Sequence, residues 1–401
     1  NNEAYKSVCS LDEKGKKKMN LFLISGLGQL FHAQSLIVDH NLAANGLAIL
    51  YTDRNVEILS QIEENVNEEL FEIVKYVKLP DYPLKKTRKN QMEIKRCYTA
   101  ILQELKPSTL FVCSYEHHYN LILEMARDQG VKLKLFEEGT ATYKDLIPNE
   151  WSRWKSLRAA FARLVKDLFV AVLRFVSSIF SEKEKNFIRK IFIGKELQSV
   201  FNAFKDFDEV YVVFPEKAKL IFNAKRYNQI NTSYKVNEES AILLKGNNII
   251  QEIDPSNSIL FVNQRYNVPN QIHIETIYNF MERHFPDNKI FFKFHPRDSV
   301  QTKQEIISII AEKRLPINVI DMDYEVPVET IISFRKPKYL IGISSSSLAY
   351  IQKKNEEVTV LSCANFYIKS ISKYNEINRK VIDEIEYHKK ILASLSDIEI
   401  M

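Results

Sequence analysis

Cysteine is scarce in this chain: the four present, Cys9, Cys97, Cys113 and Cys363, lie far apart, and none falls in a CxxC or other metal-ligand spacing. That argues against a disulfide framework or a zinc site and reads as reduced thiols in a cytoplasmic protein. No amino-terminal signal peptide is visible, although a chain that begins without Met leaves room for a trimmed upstream segment. The uncharged run 168–173 is far too short to span a bilayer. Glycine is missing where a dinucleotide site needs it: Gly26-Leu27-Gly28-Gln29 lacks the third glycine of GxGxxG, which leaves a tight turn lining a cleft, with Gly28 and Gln29 in it. The net charge is only +5, and the basic stretches carry neither a recognised nucleic-acid motif nor regular aromatic interleaving, so nucleic acid is not an expected partner.

What is present is an ordinary globular composition, 45% hydrophobic and 27% charged, in 401 residues, too long for one typical core and most naturally two domains. Apolar strands alternate with amphipathic helices from 19–25 onward. Strands are expected at 47–52, 73–77, 109–113 and 131–136, with helices at 30–40, 55–66, 91–105 and 118–127 between them. Such alternation predicts a parallel, doubly wound sheet over residues 1–150. A second half repeats the pattern over 206–370, with strands at 209–214, 258–262, 289–294, 317–320, 339–341 and 358–361. The tail 371–401 reads as helical.

Between the halves, 151–205 breaks the alternation. Trp154, Leu157, Phe161, Leu164, Leu168, Val172, Phe175 and Ile179 recur every three or four residues, as on one face of a helix over 151–180. Arg153, Lys155, Arg158, Arg163, Lys166 and Arg174 occupy the other side. Two readings stand: an amphipathic helix on an anionic membrane surface, or one docked on the protein's own core. A second basic cluster, Lys85, Lys86, Arg88, Lys89, Lys95 and Arg96, is either a solvated face or an anion-binding one.

The residues that suggest chemistry fall at strand ends. Glu137-Glu138-Gly139 directly follows the strand 131–136, at the edge where open α/β sheets bind ligands, and the glycine permits a sharp turn there. The strand 289–294 carries Lys293 and ends in His295-Pro296, whose proline restrains the local backbone. Asn263 opens the polar loop after 258–262, and Ser344, Ser345, Ser346 and Ser347 sit at a strand-to-helix turn, where hydroxyls and backbone N–H groups can cradle an anion.

Taken together, Glu137-Glu138-Gly139, His295-Pro296 and the serine run resemble the acidic-acidic-Gly, His-Pro and Ser-Ser motifs of bacterial sialyltransferases. Their order and spacing look most like those of the bacterial capsule polysialyltransferases. The resemblance implies an α/β GT-B glycosyltransferase, two Rossmann-like domains facing each other across a cleft. The first would bind the acceptor and the second the CMP-sugar. It implies inverting, metal-independent transfer of sialic acid from CMP-sialic acid, with no cofactor, to the non-reducing end of a growing polysialic acid chain. Carried onto this sequence, Glu138 would be the general base and Glu137 a supporting carboxylate. His295 would act on the phosphate of departing CMP, Ser345, Ser346 and Ser347 would bind that phosphate, and Glu329 of Pro327-Val328-Glu329 would hold the ribose. Asn263, Lys293 and Pro296 are assigned to the same donor site. The run has four serines where the motif needs two, so the register within it stays open.

The chemistry agrees with this reading. Sialyl transfer passes through a charge-separated state, so it needs a base for the nucleophile and stabilisation of the leaving phosphate. CMP carries one phosphate and does not demand a divalent metal; Asp321-Met322-Asp323 has a metal-binding spelling, but sits after a short strand in the second half. Adjacency of Glu138 to Glu137 is one route to a raised carboxylate pKa. Polysialic acid has one carboxylate per sugar, so Gly28, Gln29, Lys85, Lys86, Arg88, Lys89 and Arg96 are the expected acceptor residues. Peripheral attachment to the inner face of the cytoplasmic membrane would bring the enzyme to a lipid-linked acceptor and the capsule export machinery. The competing classes are a GT-B sialyltransferase that adds single sialic acids to lipooligosaccharide, and a non-catalytic polyanion-binding protein.

Overall fold

The computed structural model describes residues 19–53, 56–80, 88–147, 203–230, 244–296, 298–322, 326–354 and 357–401. The predicted helix at 151–180 and the cations Lys85 and Lys86 lie outside these residues, as do the side chains of Arg88 and Lys89. Two parallel sheets organise the chain. The first contains β1 (Asn20–Ile24), β2 (Asn45–Tyr51), β3 (Ile73–Lys78), β4 (Thr109–Val112), β5 (Lys132–Phe136), β6 (Asp206–Val212) and β7 (Asn223–Gln229), in the order β3-β2-β1-β4-β5-β6-β7. The second contains β8 (Ser258–Val262), β9 (Lys289–Lys293), β10 (Ile317–Ile320), β11 (Tyr339–Gly342), β12 (Thr359–Ser362) and β13 (Glu399–Ile400), in the order β10-β9-β8-β11-β12-β13.

The central strands are apolar on both faces because helices cover both. Leu21, Phe22, Leu23 and Ile24 of β1 and Ile259, Leu260 and Phe261 of β8 are fully buried, as a doubly covered parallel sheet requires. Strand order reverses between β1 and β4 in one sheet and between β8 and β11 in the other. At such switch points the following loops diverge and leave a crevice at the carboxyl ends of the strands. The two crevices meet in a single cleft.

Two expectations about boundaries need correction. The strand around 206–214 does not open the second half: β6 pairs in parallel with β5, matching Leu135 with Val210 and Phe136 with Tyr211, and β7 extends the same sheet. Chain alternation shows that a parallel strand exists but not which sheet edge receives it. Already at Phe204 the chain is held by the first domain, its N–H donating to the Tyr115 carbonyl at 2.8 Å and to Asn120 Oδ1 at 3.1 Å. The tail, in turn, is more than helical. After the helix Arg379–Leu395 it adds β13 to β12.

That last helix ties the domains together. Val381, Ile382 and Ile385 belong to the apolar cluster of the second domain, while Ile391, Leu392 and Leu395 join the cluster that runs through the first. Tyr387 adds a hydrogen bond to the Lys144 carbonyl at 3.0 Å.

At the second switch point the backbones of β8 and β11 approach closely. A Cβ built on Gly342 would meet Val262 Cγ2 at 2.8 Å and the Val262 carbonyl oxygen at 3.2 Å. Gly342→Ala is expected to destabilise the second domain by about 1–3 kcal/mol through overpacking, a loss readable as a lowered midpoint in thermal or urea unfolding.

Candidate active site

Ten of the residues given a catalytic or binding role from sequence line one cleft of about 450 Å³. Gly28 and Glu138 come from the first domain; Asn263, Lys293, His295, Pro296, Glu329, Ser345, Ser346 and Ser347 come from the second. Gln29 and Glu137 stand behind the wall, and Arg96 is exposed elsewhere on the helix Arg88–Leu105.

The two adjacent acids have separate fates. Glu137 is fully buried. Its Oε2 accepts from Tyr143 at 2.7 Å and from the Val213 N–H at 2.6 Å, and its Oε1 accepts from Tyr350 at 2.5 Å. Tyr143 and Val213 belong to the first domain and Tyr350 to the helix Ser346–Lys354 of the second, so one carboxylate joins both. Burial pushes its pKa up to about 7, against the opposing pull of these donors and of Lys353. Lys353 itself donates to the Val213 carbonyl and lies 4.7 Å from the Phe214 ring centre, reinforcing the same contact. Burial, not adjacency to Glu138, is thus the main cause of the raised carboxylate at this pair.

Glu138 lines the cleft. Its N–H donates to Thr142 Oγ1 at 2.9 Å, and its Oε1 accepts from Gln29 Nε2 at 2.6 Å. The chain then turns through Gly139 at φ 116°, a conformation that side chains rarely tolerate. A Cβ there would lie 3.6 Å from the Ser346 hydroxyl, so the acidic turn and the serine run meet across the cleft.

On the opposite wall the serines divide by burial. Ser344 is buried, its N–H and hydroxyl facing Gln264 Oε1 and its Oγ 2.5 Å from the Tyr266 hydroxyl. Ser345, Ser346 and Ser347 are half-buried at the start of the helix Ser346–Lys354, where backbone N–H groups and the helix dipole favour an anion. Ser347 lies close to Glu329, a buried acid in the first turn of the helix Val328–Phe334. Burial raises the pKa of Glu329, while Ser347, Lys293 and Lys354 pull it back down.

His295 is placed by a polar chain that sequence could not show. Its N–H donates to Asp298 Oδ2 at 2.8 Å; the same oxygen accepts from Asn263 Nδ2 at 2.9 Å. Asn263 Oδ1 lies 2.7 Å from His273 Nε2, and His273 Nδ1 lies 2.6 Å from the Tyr367 hydroxyl. Burial holds the pKa of His273 down to about 4, so near neutral pH it is an uncharged link. Asn263, assigned to the donor from sequence, commits both polar ends of its amide to this scaffold while lining the cleft.

Several lining residues escaped the sequence reading: His32 and Lys144 of the first domain, Gln264 and Tyr350 of the second, and Tyr387 and His388 of the closing helix. Each arrives from an element distant in sequence and carries no local motif. Chemically, the cleft offers a carboxylate on one wall and, on the other, a helix N-terminus with hydroxyls, Lys293 and His295. That set can take a proton from a hydroxyl nucleophile and receive a negatively charged leaving group.

The model of the alpha-2,8-polysialyltransferases matches residues 20–364. Among curated proteins none matches the chain. Solved structures that resemble it include a UDP-GlcNAc 2-epimerase from Neisseria meningitidis bound to UDP-GlcNAc, with a TM-score of 0.50, 13% identity, and coverage of 96% of this chain and 95% of that one. Another is a UDP-N-acetylglucosamine 2-epimerase from Rickettsia bellii, with a TM-score of 0.48, 10% identity, and coverage of 94% and 95%. MurG from Acinetobacter baumannii has a TM-score of 0.46, 9% identity, and coverage of 96% and 86%. At such identities the likeness to the meningococcal enzyme shows the fold alone, the two-domain GT-B arrangement.

The buried carboxylate gives a signed pH effect. With its pKa raised in the folded protein, Glu137 contributes stability that is fully present below its unfolded value and lost as pH rises through about 7. Glu137→Gln, which stays neutral, is expected to melt below wild type at pH 5, because one hydrogen-bond acceptor becomes a donor. The deficit should shrink between pH 5 and 8. Parallel thermal melts check this, and a deficit that widens with pH contradicts it.

Proposed function

The chain belongs to the alpha-2,8-polysialyltransferase family, and from that premise we propose that it elongates polysialic acid by inverting transfer of sialic acid from CMP-sialic acid. The observation that carries the mechanism is the arrangement around the acidic pair. Glu137 is sealed into the domain contact, and Glu138 alone of the two lines the cleft opposite the serine turn and His295.

In this reading the acceptor hydroxyl at the non-reducing end of the chain attacks the anomeric carbon of the donor. Glu138 takes the hydroxyl proton, the new carbon–oxygen bond forms, and the bond from the anomeric carbon to the phosphate oxygen breaks with its electron pair leaving on CMP. A single displacement of this kind inverts the anomeric configuration. The departing phosphate would lie at the N-terminus of the helix Ser346–Lys354, with His295 donating to it. Ser345, Ser346 and Ser347 are the register we favour within the serine run, since Ser344 is engaged by Gln264 and Tyr266. Glu329 would hold the ribose hydroxyls, and Lys293 would balance the negative charge nearby.

We read the transfer as independent of a divalent metal and of any cofactor, because one phosphate is met by the helix N-terminus, Lys293 and His295. Of the Asp321-Met322-Asp323 spelling, Asp323 lies outside the described residues. Among the described residues no helix is long and apolar enough to cross a membrane. Attachment at the inner membrane face, a lipid-linked acceptor and a role in capsule export belong to the proposal, as does the acceptor groove at Lys85, Lys86, Arg88, Lys89 and Arg96.

The test is a product ladder from CMP-sialic acid and a fluorescent oligosialic acid acceptor, run with EDTA present. Wild type is expected to build the ladder. Glu138→Gln and His295→Ala should each lower the rate by about 10²–10⁴-fold while remaining folded. One added residue in place of a ladder would reassign the enzyme to monosialylation, and no consumption of CMP-sialic acid would remove the donor assignment.

A further inference from the structure

Gln29 was expected to touch the acceptor, yet it is 5% exposed and its amide is engaged at both ends. Its Oε1 accepts from the Ser25 N–H at 2.6 Å. A backbone N–H can only donate, so this contact determines which end of the amide is oxygen. The other end, Nε2, therefore presents a donor to Glu138 Oε1 at 2.6 Å. Behind Gln29 the chain continues inward: the Ser25 hydroxyl donates to the same Oε1 at 3.3 Å, and the Tyr119 hydroxyl donates to Ser25 Oγ at 3.1 Å. Tyr119 is buried and its phenol is pushed well above the ordinary range by burial, so it remains a donor. The His118 ring stacks on it at 4.5 Å and is held in turn by Tyr98, whose hydroxyl is 2.5 Å from His118 Nδ1.

We infer that Gln29 is a positioning residue, the last link of a Tyr119–Ser25–Gln29 chain of aligned donors that holds the carboxylate of Glu138 in place and favours its ionised form. It rests on the assignment of Glu138 as the base. Donors aligned in series polarise one another, and a donor aimed at a carboxylate stabilises the charged form over the neutral one. The chain is anchored in the core of the first domain: Ser25 follows β1 and Tyr119 begins the helix Tyr119–Asp128. The base is thereby referred to the rigid sheet and not to the turn at Gly139.

Other titratable groups surround Glu138. Cys113, Tyr115 and Tyr119 lie behind it, and burial raises the pKa of all three, leaving them uncharged near neutral pH. His32, Lys144, Lys293, His295, Glu329 and His388 share the cleft. Burial holds the His32 pKa down to about 4 and lowers that of His388, while Lys144 pairs with Glu116 at 2.6 Å. Replacing a link of the Gln29 chain leaves these groups in place, so a change in the pH profile reports the chain.

The measurement is kcat/KM for elongation against pH, with thermal melts as a folding control. Gln29→Leu is expected to lower kcat/KM at pH 7 by about tenfold and to move the acid side of the profile up by about one pH unit, since a lost donor raises the carboxylate pKa. Tyr119→Phe removes only the distant hydroxyl and should move it the same way by less; it carries the test if the leucine variant fails to fold. An acid side that stays at the wild-type pH in both variants overturns the inference, even if activity falls. If Glu138→Gln retains wild-type activity, the base assignment and this inference fall together. If Glu138→Gln abolishes transfer while the chain variants keep the wild-type profile, only the positioning role falls.

Discussion

Glu137 is fully buried and accepts hydrogen bonds from Tyr143 and the Val213 amide of one domain and from Tyr350 of the other. An ionisable group so placed is held by its donors, and removing the Tyr350 hydroxyl would leave the buried Oε1 without a match. The geometry of the cleft follows from this contact. It brings the start of the helix Ser346–Lys354, which bears Tyr350 one turn later, against the turn after β5. That apposition places Gly139 beside Ser346 and thus the next acid, Glu138, opposite the site for a leaving phosphate.

Two neighbouring glutamates can serve such different ends because consecutive side chains in extended backbone point to opposite sides. The Glu137 N–H still pairs with the Tyr211 carbonyl at 3.0 Å, continuing the β5–β6 ladder by one residue, so its side chain turns inward and that of Glu138 turns to the cleft. Gly139 then ends the extended run with a positive φ. A pair of acids at a strand end thus becomes one structural carboxylate and one chemical carboxylate.

Much of the fold was legible in the chain. Strands that lie between two helical layers must be apolar on both faces, which made β1, β2, β4, β8, β9 and β11 readable as short continuous runs. β7, Asn-Ala-Lys-Arg-Tyr-Asn-Gln, was not, because an exposed edge strand needs no apolar pattern. β13 has only two residues and exists because β12 offers an open edge. The domain boundary was misplaced because nothing within β6, Asp-Phe-Asp-Glu-Val-Tyr-Val, names its sheet; its partner is chosen by contacts with Leu135 and Phe136 that are distant in sequence. In the candidate site, residues at strand ends were legible as types. The roles of Gln29, Asn263 and Ser344 were not, since each is decided by a partner far along the chain.

The sequence alone determined the alternation of strands and helices, and with it the parallel sheets and the strand-end positions of Glu138, His295 and the serine turn. These depend on periodicity, turn chemistry and side-chain type, which are local properties. Only the tertiary structure decided which acid of the pair meets the cleft, which serines are already engaged, and where the first domain ends. It also decided that a glutamine on the first helix, 109 residues from Glu138, supplies that carboxylate with a donor. Such choices depend on burial and on hydrogen-bond partners brought together by packing, and a chain read residue by residue contains no measure of either.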